Sequence, residues 1–171
     1  ESPVLILVLY FVLPNINSLN VIALVLFYLF GAHYVHRTFI FSFKIKGKSN
    51  KMPLGVMLLA VIFNLLNGYF IGYYLGNFAN YDASWLWSLP FLAGLVMFAT
   101  GAFINWRSDS MLIALRKDGF SGYKIPHGFL FEKVSCPNHF GEMIEWSGFA
   151  LMSFNLPALA FAIWTCANLI P

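Results

Sequence analysis

The sequence predicts an all-α protein, a multi-pass bundle of transmembrane helices, and three observations carry that prediction. The 171 residues are 60% hydrophobic, 19% aromatic and only 10% charged. A domain of this length in water cannot cover so much apolar surface, so lipid must act as its solvent. All 10 Lys and Arg side chains fall in two short segments, residues 37–51 and 107–133. The remaining breaks between apolar runs are turn-forming clusters without Lys or Arg. Positively charged loops stay in the cytoplasm during insertion, which places both basic segments on one side and both uncharged turns on the other.

Each element follows from this pattern. Residues 2–13 are an apolar run too short to cross a hydrocarbon core of roughly 30 Å alone. It ends at Pro14-Asn15-Ile16-Asn17-Ser18, a cluster of turn formers. A second span, residues 20–43, enters the basic run Lys44-Ile45-Lys46-Gly47-Lys48. A third, residues 52–76, stops at Asn77-Phe78-Ala79-Asn80-Tyr81-Asp82, and Trp85 and Trp87 follow where an interfacial aromatic belt belongs. A fourth, residues 89–104, leads into a hydrophilic loop over residues 106–138. The last span, residues 142–169, contains Pro157, which predicts a kink or local opening.

The expectation is therefore one membrane domain over residues 1–171, with about five spans visible and no separate soluble domain. Glu1 is not an initiator Met and no signal peptide opens the chain, so the numbering is expected to begin partway into a longer protein. Cys136 and Cys166 make no disulfide framework and no CxxC metal spacing. The net charge of +3 is modest but concentrated, so local potential matters more than the total, and a basic loop of this kind attracts anionic lipid. No nucleic-acid partner is expected, and the oligomeric state is open.

Ionisable groups at membrane depth are costly and call for a reason. At about 1.5 Å per residue, Glu1 lies ~20 Å inward from the Pro14 turn, and Tyr34 lies ~21 Å inward from Asn20 on the next, antiparallel helix. The two should sit level with each other. A carboxyl and a phenol in a low-dielectric slot make a proton-donating pair; the bland reading is a frayed terminus in water. His33 and His36 share a helix face, a spacing that would allow a metal. Hydrogen bonds to neighbouring helices account for them better, and the extended HxxHH boxes of di-iron membrane enzymes are absent, so no metal is expected. Gly68, Gly72 and Gly76 form GxxxGxxxG, a close-packing stripe for another helix. Asn64 and Asn67 on that helix could bond across the bundle or contact ligand, and the sequence leaves both open.

The second basic region carries a denser chemistry. Asn105-Trp106-Arg107-Ser108-Asp109 and Leu115-Arg116-Lys117 combine amide, carboxylate and guanidinium groups. Gly122-Tyr123-Lys124-Ile125-Pro126-His127-Gly128 adds glycines, an aromatic face and cations. Ser135-Cys136-Pro137-Asn138-His139-Phe140-Gly141-Glu142 follows, with Glu145 one turn later on the same face. Cations for phosphates, Asn and Asp for hydroxyls and amides, and a ring for stacking are what a dinucleotide needs. The alternative is a solvated topological loop, and without a GxGxxG after a strand the residue types alone are a weak signal.

These residues resemble the steroid 5α-reductase (3-oxo-5α-steroid 4-dehydrogenase) family. The resemblance rests on His33-Tyr34-Val35-His36-Arg37-Thr38, Asn105 with Ser108-Asp109, Leu115-Arg116-Lys117, Tyr123-Lys124-Ile125-Pro126, Asn138-His139-Phe140-Gly141-Glu142-Met143-Ile144-Glu145-Trp146 and Leu156-Pro157-Ala158-Leu159-Ala160-Phe161-Ala162. It covers nearly the whole chain. It implies NADPH-dependent reduction of the Δ4 double bond of a 3-oxosteroid, in a bundle of seven spans in the intact protein, of which the first and last are expected to lie outside this sequence. It assigns Glu1 and Tyr34 as catalytic groups that hydrogen-bond the 3-oxo oxygen, with hydride delivered to C5. Asn105, Asp109, Arg116, Tyr123, Asn138 and Glu142 match its cofactor-contacting positions. Arg37, Lys48 and Lys124 are further expected cofactor contacts, Lys124 standing where relatives often carry Arg.

The resemblance further implies that substrate enters from lipid and cofactor from the cytoplasmic side, in a bacterial inner membrane or the endoplasmic reticulum. A related enoyl-CoA or polyprenal reductase is the nearest competing reading. A non-enzymatic scaffold or small-molecule transporter would account for the spans and the glycine stripe. It gives no reason for acidic groups at membrane depth beside a basic loop.

Overall fold

In the computed structural model, described over residues 2–44, 53–116 and 126–169 and for Arg116 in its backbone only, every regular element is helical. The first helix, α1, is Ser2–Val12, continued by the 3₁₀ turns of Leu13–Ser18. Next come α2 (Val21–Val35), a π-helical stretch (His36–Phe41) and the single turn α3 (Ser42–Lys44), which run on as one 24-residue rod. Then follow α4 (Leu54–Asn77), a 3₁₀ turn (Ala83–Trp87), α5 (Leu89–Arg116), α6 (Pro137–Ser153) and α7 (Leu156–Leu169). Val21–Lys44, Leu54–Asn77 and Leu89–Leu115 are each long and apolar enough to cross a membrane, and the apolar stretches Ser2–Ser18 and Leu156–Leu169 are shorter. The all-α, multi-pass membrane class read from the sequence is the class of this fold.

The helices gather into two units. One comprises α1, α2 and α4 and ends at Ser88. In it the glycine stripe of α4 lies along α1. A methyl at Gly68 would fall 2.9 Å from Val4 Cα, one at Gly72 would fall 2.9 Å from Val8 Cα, and one at Gly76 would overlap the Phe11 carbonyl. The partners advance in the same order, so α1 and α4 run parallel. The buried face of α4 is Asn67, Gly68, Ile71, Gly72, Leu75 and Gly76, while Leu58, Ile62, Leu66 and Phe70 point outward. In a lipid solvent such outward apolar side chains are solvated, so the helix needs only one narrow packed face. Asn20 starts α2 by accepting the Ala23 N–H at 2.8 Å. Its amide also donates to the Ala79 and Tyr81 carbonyls, tying the turn after α4 to the start of α2.

The second unit runs from Leu89 through α5, α6 and α7. Here α5 and α6 are antiparallel and nearly touching. A methyl at Gly94 would fall 2.6 Å from the Gly148 carbonyl oxygen, and one at Gly101 would strike Gly141 and the Glu145 backbone. Glycines seven residues apart on each helix thus bring two backbones to a distance no side chain would permit. Beside this seam Trp146, 1% exposed, meets Phe98 at 6.3 Å, Phe149 at 5.8 Å and Phe161 of α7 at 4.6 Å between ring centroids.

Two expectations are corrected. The last apolar span is not one kinked helix: it breaks into α6 and α7 at Phe154, whose φ of 47° is left-handed and closes α6. Asn155 then accepts the Ala158 N–H at 2.9 Å and starts α7. Pro157 falls in the first turn of α7, where its missing N–H costs nothing. The fourth span does not stop at residue 104 either. It continues to Arg116, so Asn105, Ser108 and Asp109 stand on a helix rather than at a loop entrance.

Candidate active site

The polar residues singled out by sequence that the structure describes fall in both units. In the first unit Tyr34 lies near the end of α2 and is 5% exposed. Asn67 of α4 donates from Nδ2 to the Tyr34 hydroxyl oxygen at 2.9 Å. The Phe30 ring lies 4.8 Å away between centroids, and the buried His33 ring meets Tyr34 edge-on at 5.2 Å. A phenol is thus held by an amide beside the Phe30 and His33 rings, out of solvent, where a hydrogen bond is stronger than in water. Val4 of α1 packs on Gly68, the residue next to Asn67, so the first turn of α1 lies at the level of this bond. Glu1 itself is outside the described residues.

Directly after Tyr34 the helix widens to the π form over His36–Phe41, the kind of irregularity that often marks functional sites. Arg37 lies in this stretch with its guanidinium 4.9 Å from the Phe41 ring centroid, a cation–π contact that orients the cation. Lys48 is outside the described residues. Among the described residues no three His, Cys, Asp or Glu side chains gather as a metal site.

In the second unit the polar residues line the C-terminal half of α5 and the first turns of α6. Asn105, Ser108 and Asp109 are buried, at 1%, 0% and 3% exposure, and Glu145 is at 0%. Asn138 and Glu142, one turn apart on α6, are half-buried. A methyl at Gly141 would fall 2.6 Å from the Asn105 backbone nitrogen, so this glycine lets the acidic and amide groups of the two helices converge. The Asn105 amide nitrogen, its amide oxygen and the Ser108 hydroxyl have no hydrogen-bond partner among the described residues. A buried polar atom left in this state costs about 1–3 kcal/mol. The Arg116 side chain, Tyr123 and Lys124 are outside the described residues.

Asn67 was left undecided by the sequence, and Ser108 entered it only as part of a motif. For Asn67 the available signal was its place beside the first glycine of the α4 stripe. For the α5–α6 seam it was the seven-residue spacing of Gly94 with Gly101 and of Gly141 with Gly148. A separate apolar cavity of about 670 Å³ opens between α6 and α7, lined by Leu151, Phe154, Leu159 and Ile163 among others, and none of the predicted site residues that the structure describes lines it.

Residues 50–171 match the family model described as 3-oxo-5-alpha-steroid 4-dehydrogenase. Over 174 residues the chain is 40% identical to the steroid 5-alpha-reductase DET2 of Solanum lycopersicum, covering 100% of this chain and 67% of that protein. Identity to the Arabidopsis thaliana protein of the same name is 40% over 178 residues, with 100% and 68% covered. Identity to 3-oxo-5-alpha-steroid 4-dehydrogenase 1 of Mus musculus is 46% over 144 residues, with 84% and 56% covered. An oxidoreductase family of this type implies a nicotinamide cofactor. The residues present fit one: the open donors and acceptor of Asn105 and Ser108 suit an amide- and hydroxyl-bearing ligand, beside the carboxylates of Asp109 and Glu142. The chain belongs to the 3-oxo-5α-steroid 4-dehydrogenase family.

Proposed function

We propose that this protein reduces the Δ4 double bond of a 3-oxo-Δ4-steroid with NADPH, giving the 5α-reduced 3-oxosteroid. The observation that carries the reading is the buried Tyr34 hydroxyl, held by the Asn67 amide at 2.9 Å away from solvent. Tyr34, together with Glu1, hydrogen-bonds the 3-oxo oxygen and polarises the enone, so that C5 becomes electron-poor. When bound, the reduced nicotinamide supplies the hydride that C5 accepts. The π electrons of C4–C5 then move towards the ketone, and Tyr34 and Glu1 stabilise the negative charge arriving on its oxygen. That charge is larger in the transition state than in the ground state, so these hydrogen bonds favour turnover over mere binding. A proton taken up at C4 from water restores the ketone and balances the reduction.

Asn105, Asp109, Asn138 and Glu142 hold the cofactor from α5 and α6. Arg37, Lys48, Arg116, Tyr123 and Lys124 complete its binding, with Arg116 at the 2′-phosphate that distinguishes NADPH from NADH. The whole is one membrane domain whose cofactor side is cytoplasmic, since that is the side of its basic loops. Support comes from the family match, the burial of Asn105, Ser108 and Asp109, and the level of the first α1 turn relative to Asn67.

The test is NADPH oxidation by the purified protein in detergent, with testosterone, progesterone and an enoyl-CoA as rival substrates. Turnover with the steroids and none with the thioester is the expected result. Turnover with the thioester alone would replace this reading by an enoyl reductase, and failure to bind NADPH would remove the enzymatic reading.

A further inference from the structure

We infer that Asn67 is a positioning residue that sets the direction in which the Tyr34 hydroxyl donates its proton, an inference that rests on the proposed role of Tyr34 at the ketone. A phenol O–H lies in or near the plane of its ring and has two in-plane orientations. The Asn67 Nδ2–H, arriving at 2.9 Å, occupies one lone-pair direction of the oxygen and leaves the proton to the other. The amide therefore does two things. It selects the rotamer in which Tyr34 donates away from α4. It also supplies a donor to the phenol oxygen at the moment that oxygen gains charge by giving its proton towards the substrate oxygen.

The placement of Asn67 is specific. Helix α4 contains three asparagines, and two of them turn back on their own helix. Asn64 donates to the Ala60 carbonyl at 2.7 Å, and Asn77 donates to the Tyr73 carbonyl at 3.0 Å. Asn67 donates across to a residue 33 positions away in sequence. It is 6% exposed, and its neighbour Gly68 is pressed against the Val4 backbone, so rotation of α4 about its axis is blocked where the amide must stay aimed. The plain alternative is polar glue between two membrane helices, which would add stability and nothing else. Glue does not need its donor on the one phenol that the chemistry uses.

A double-mutant cycle separates the two. Asn67→Leu, Tyr34→Phe and the double variant are compared with the parent chain in detergent by kcat, steroid KM and NADPH affinity. Asn67→Leu is expected to lower kcat roughly tenfold, while KM and NADPH affinity change by less than about twofold. In the Tyr34→Phe background the same substitution is expected to have no further effect on kcat, because the atom it acts through is gone. An equal loss in both backgrounds, an unchanged kcat, or an increase in kcat would overturn the inference. The last would mean that the amide presents its oxygen and captures the phenol proton. Where the leucine variant does not fold, Asn67→Ala removes the donor without asking room of its neighbours and is read by the same outcomes. If Tyr34→Phe itself turns over at the parent rate, the proposed role of Tyr34 fails. If Tyr34→Phe is slow and Asn67→Leu is not, only the inference about Asn67 fails.

Discussion

Gly141 sits against Asn105 so closely that a methyl group on it would lie 2.6 Å from the Asn105 backbone nitrogen. The contact is backbone to backbone, so no side-chain rotation can relieve it. It occurs where α5 passes its buried amide and hydroxyl groups to the first turns of α6, which makes helix spacing and the candidate cofactor cluster one problem.

Gly141→Ala must therefore push the two helices apart at the cluster itself. Overpacking of this kind costs about 1–3 kcal/mol. The expected outcome is a lower thermal midpoint in detergent together with weaker NADPH binding in a fluorescence titration. Gly94→Ala, at the far end of the same seam against Gly148 and Met152, is expected to lower the midpoint with a smaller effect on the cofactor. Equal losses of affinity in the two variants would show that the spacing at Asn105 has no special role.

Asn105→Leu separates stability from function. The Asn105 amide nitrogen and oxygen are buried without partners among the described residues, so an apolar side chain of similar size relieves a penalty of about 1–3 kcal/mol. The cofactor-free protein is expected to gain thermal stability while NADPH affinity falls at least about tenfold. Loss of stability on this substitution would show that the amide has structural work instead.

Arg116→Ala addresses the cofactor preference. A guanidinium paired with a phosphate makes a charge-assisted bond of about 1.5–3 kcal/mol. NADPH affinity should fall roughly 10- to 100-fold, and NADH affinity should change little. Parallel titrations with both cofactors read this directly, and an equal loss for both would remove Arg116 from the 2′-phosphate.

Asp82 caps the 3₁₀ turn Ala83–Trp87 outside the spans. Hydrogen bonds from the Ser84 side chain and then from its backbone N–H hold the carboxyl below its ordinary titration range. A depressed folded-state value stabilises the fold above the ordinary carboxylate range, and that contribution is lost as pH falls through the lowered value. The thermal midpoints of the parent and Asp82→Ala should thus differ near neutral pH and converge in acid. A difference that persists to the lowest pH would mean that the cap does not act through the carboxylate.

Tyr34 was legible as a site candidate because a polar side chain stands out in an apolar span and is costly at membrane depth unless it has a use. Asn105, Asp109, Asn138 and Glu142 were a weak signal from residue type beside a basic loop and became site candidates through the family resemblance. The Gly68, Gly72 and Gly76 stripe was legible as a packing face, since three small residues at a four-residue spacing leave one flat strip on a helix. The partner of that stripe was not legible, and neither was the use of Asn67. A kink or local opening was expected at Pro157, the conspicuous breaker, whereas the chain turns at Phe154 and uses Pro157 as an ordinary first-turn residue.

Hydropathy and charge are local properties, and they alone determined that this chain is helical, lives in lipid and carries its cations in two segments. Which polar atoms meet was decided by tertiary packing: Asn67 on Tyr34, and Gly141 against Asn105. In water a helix announces its buried face by an apolar stripe, but in a membrane the lipid-facing side is as apolar as the packed one. The periodicity is then silent about azimuth, and only the close approach of backbones at glycine reveals how each helix is turned.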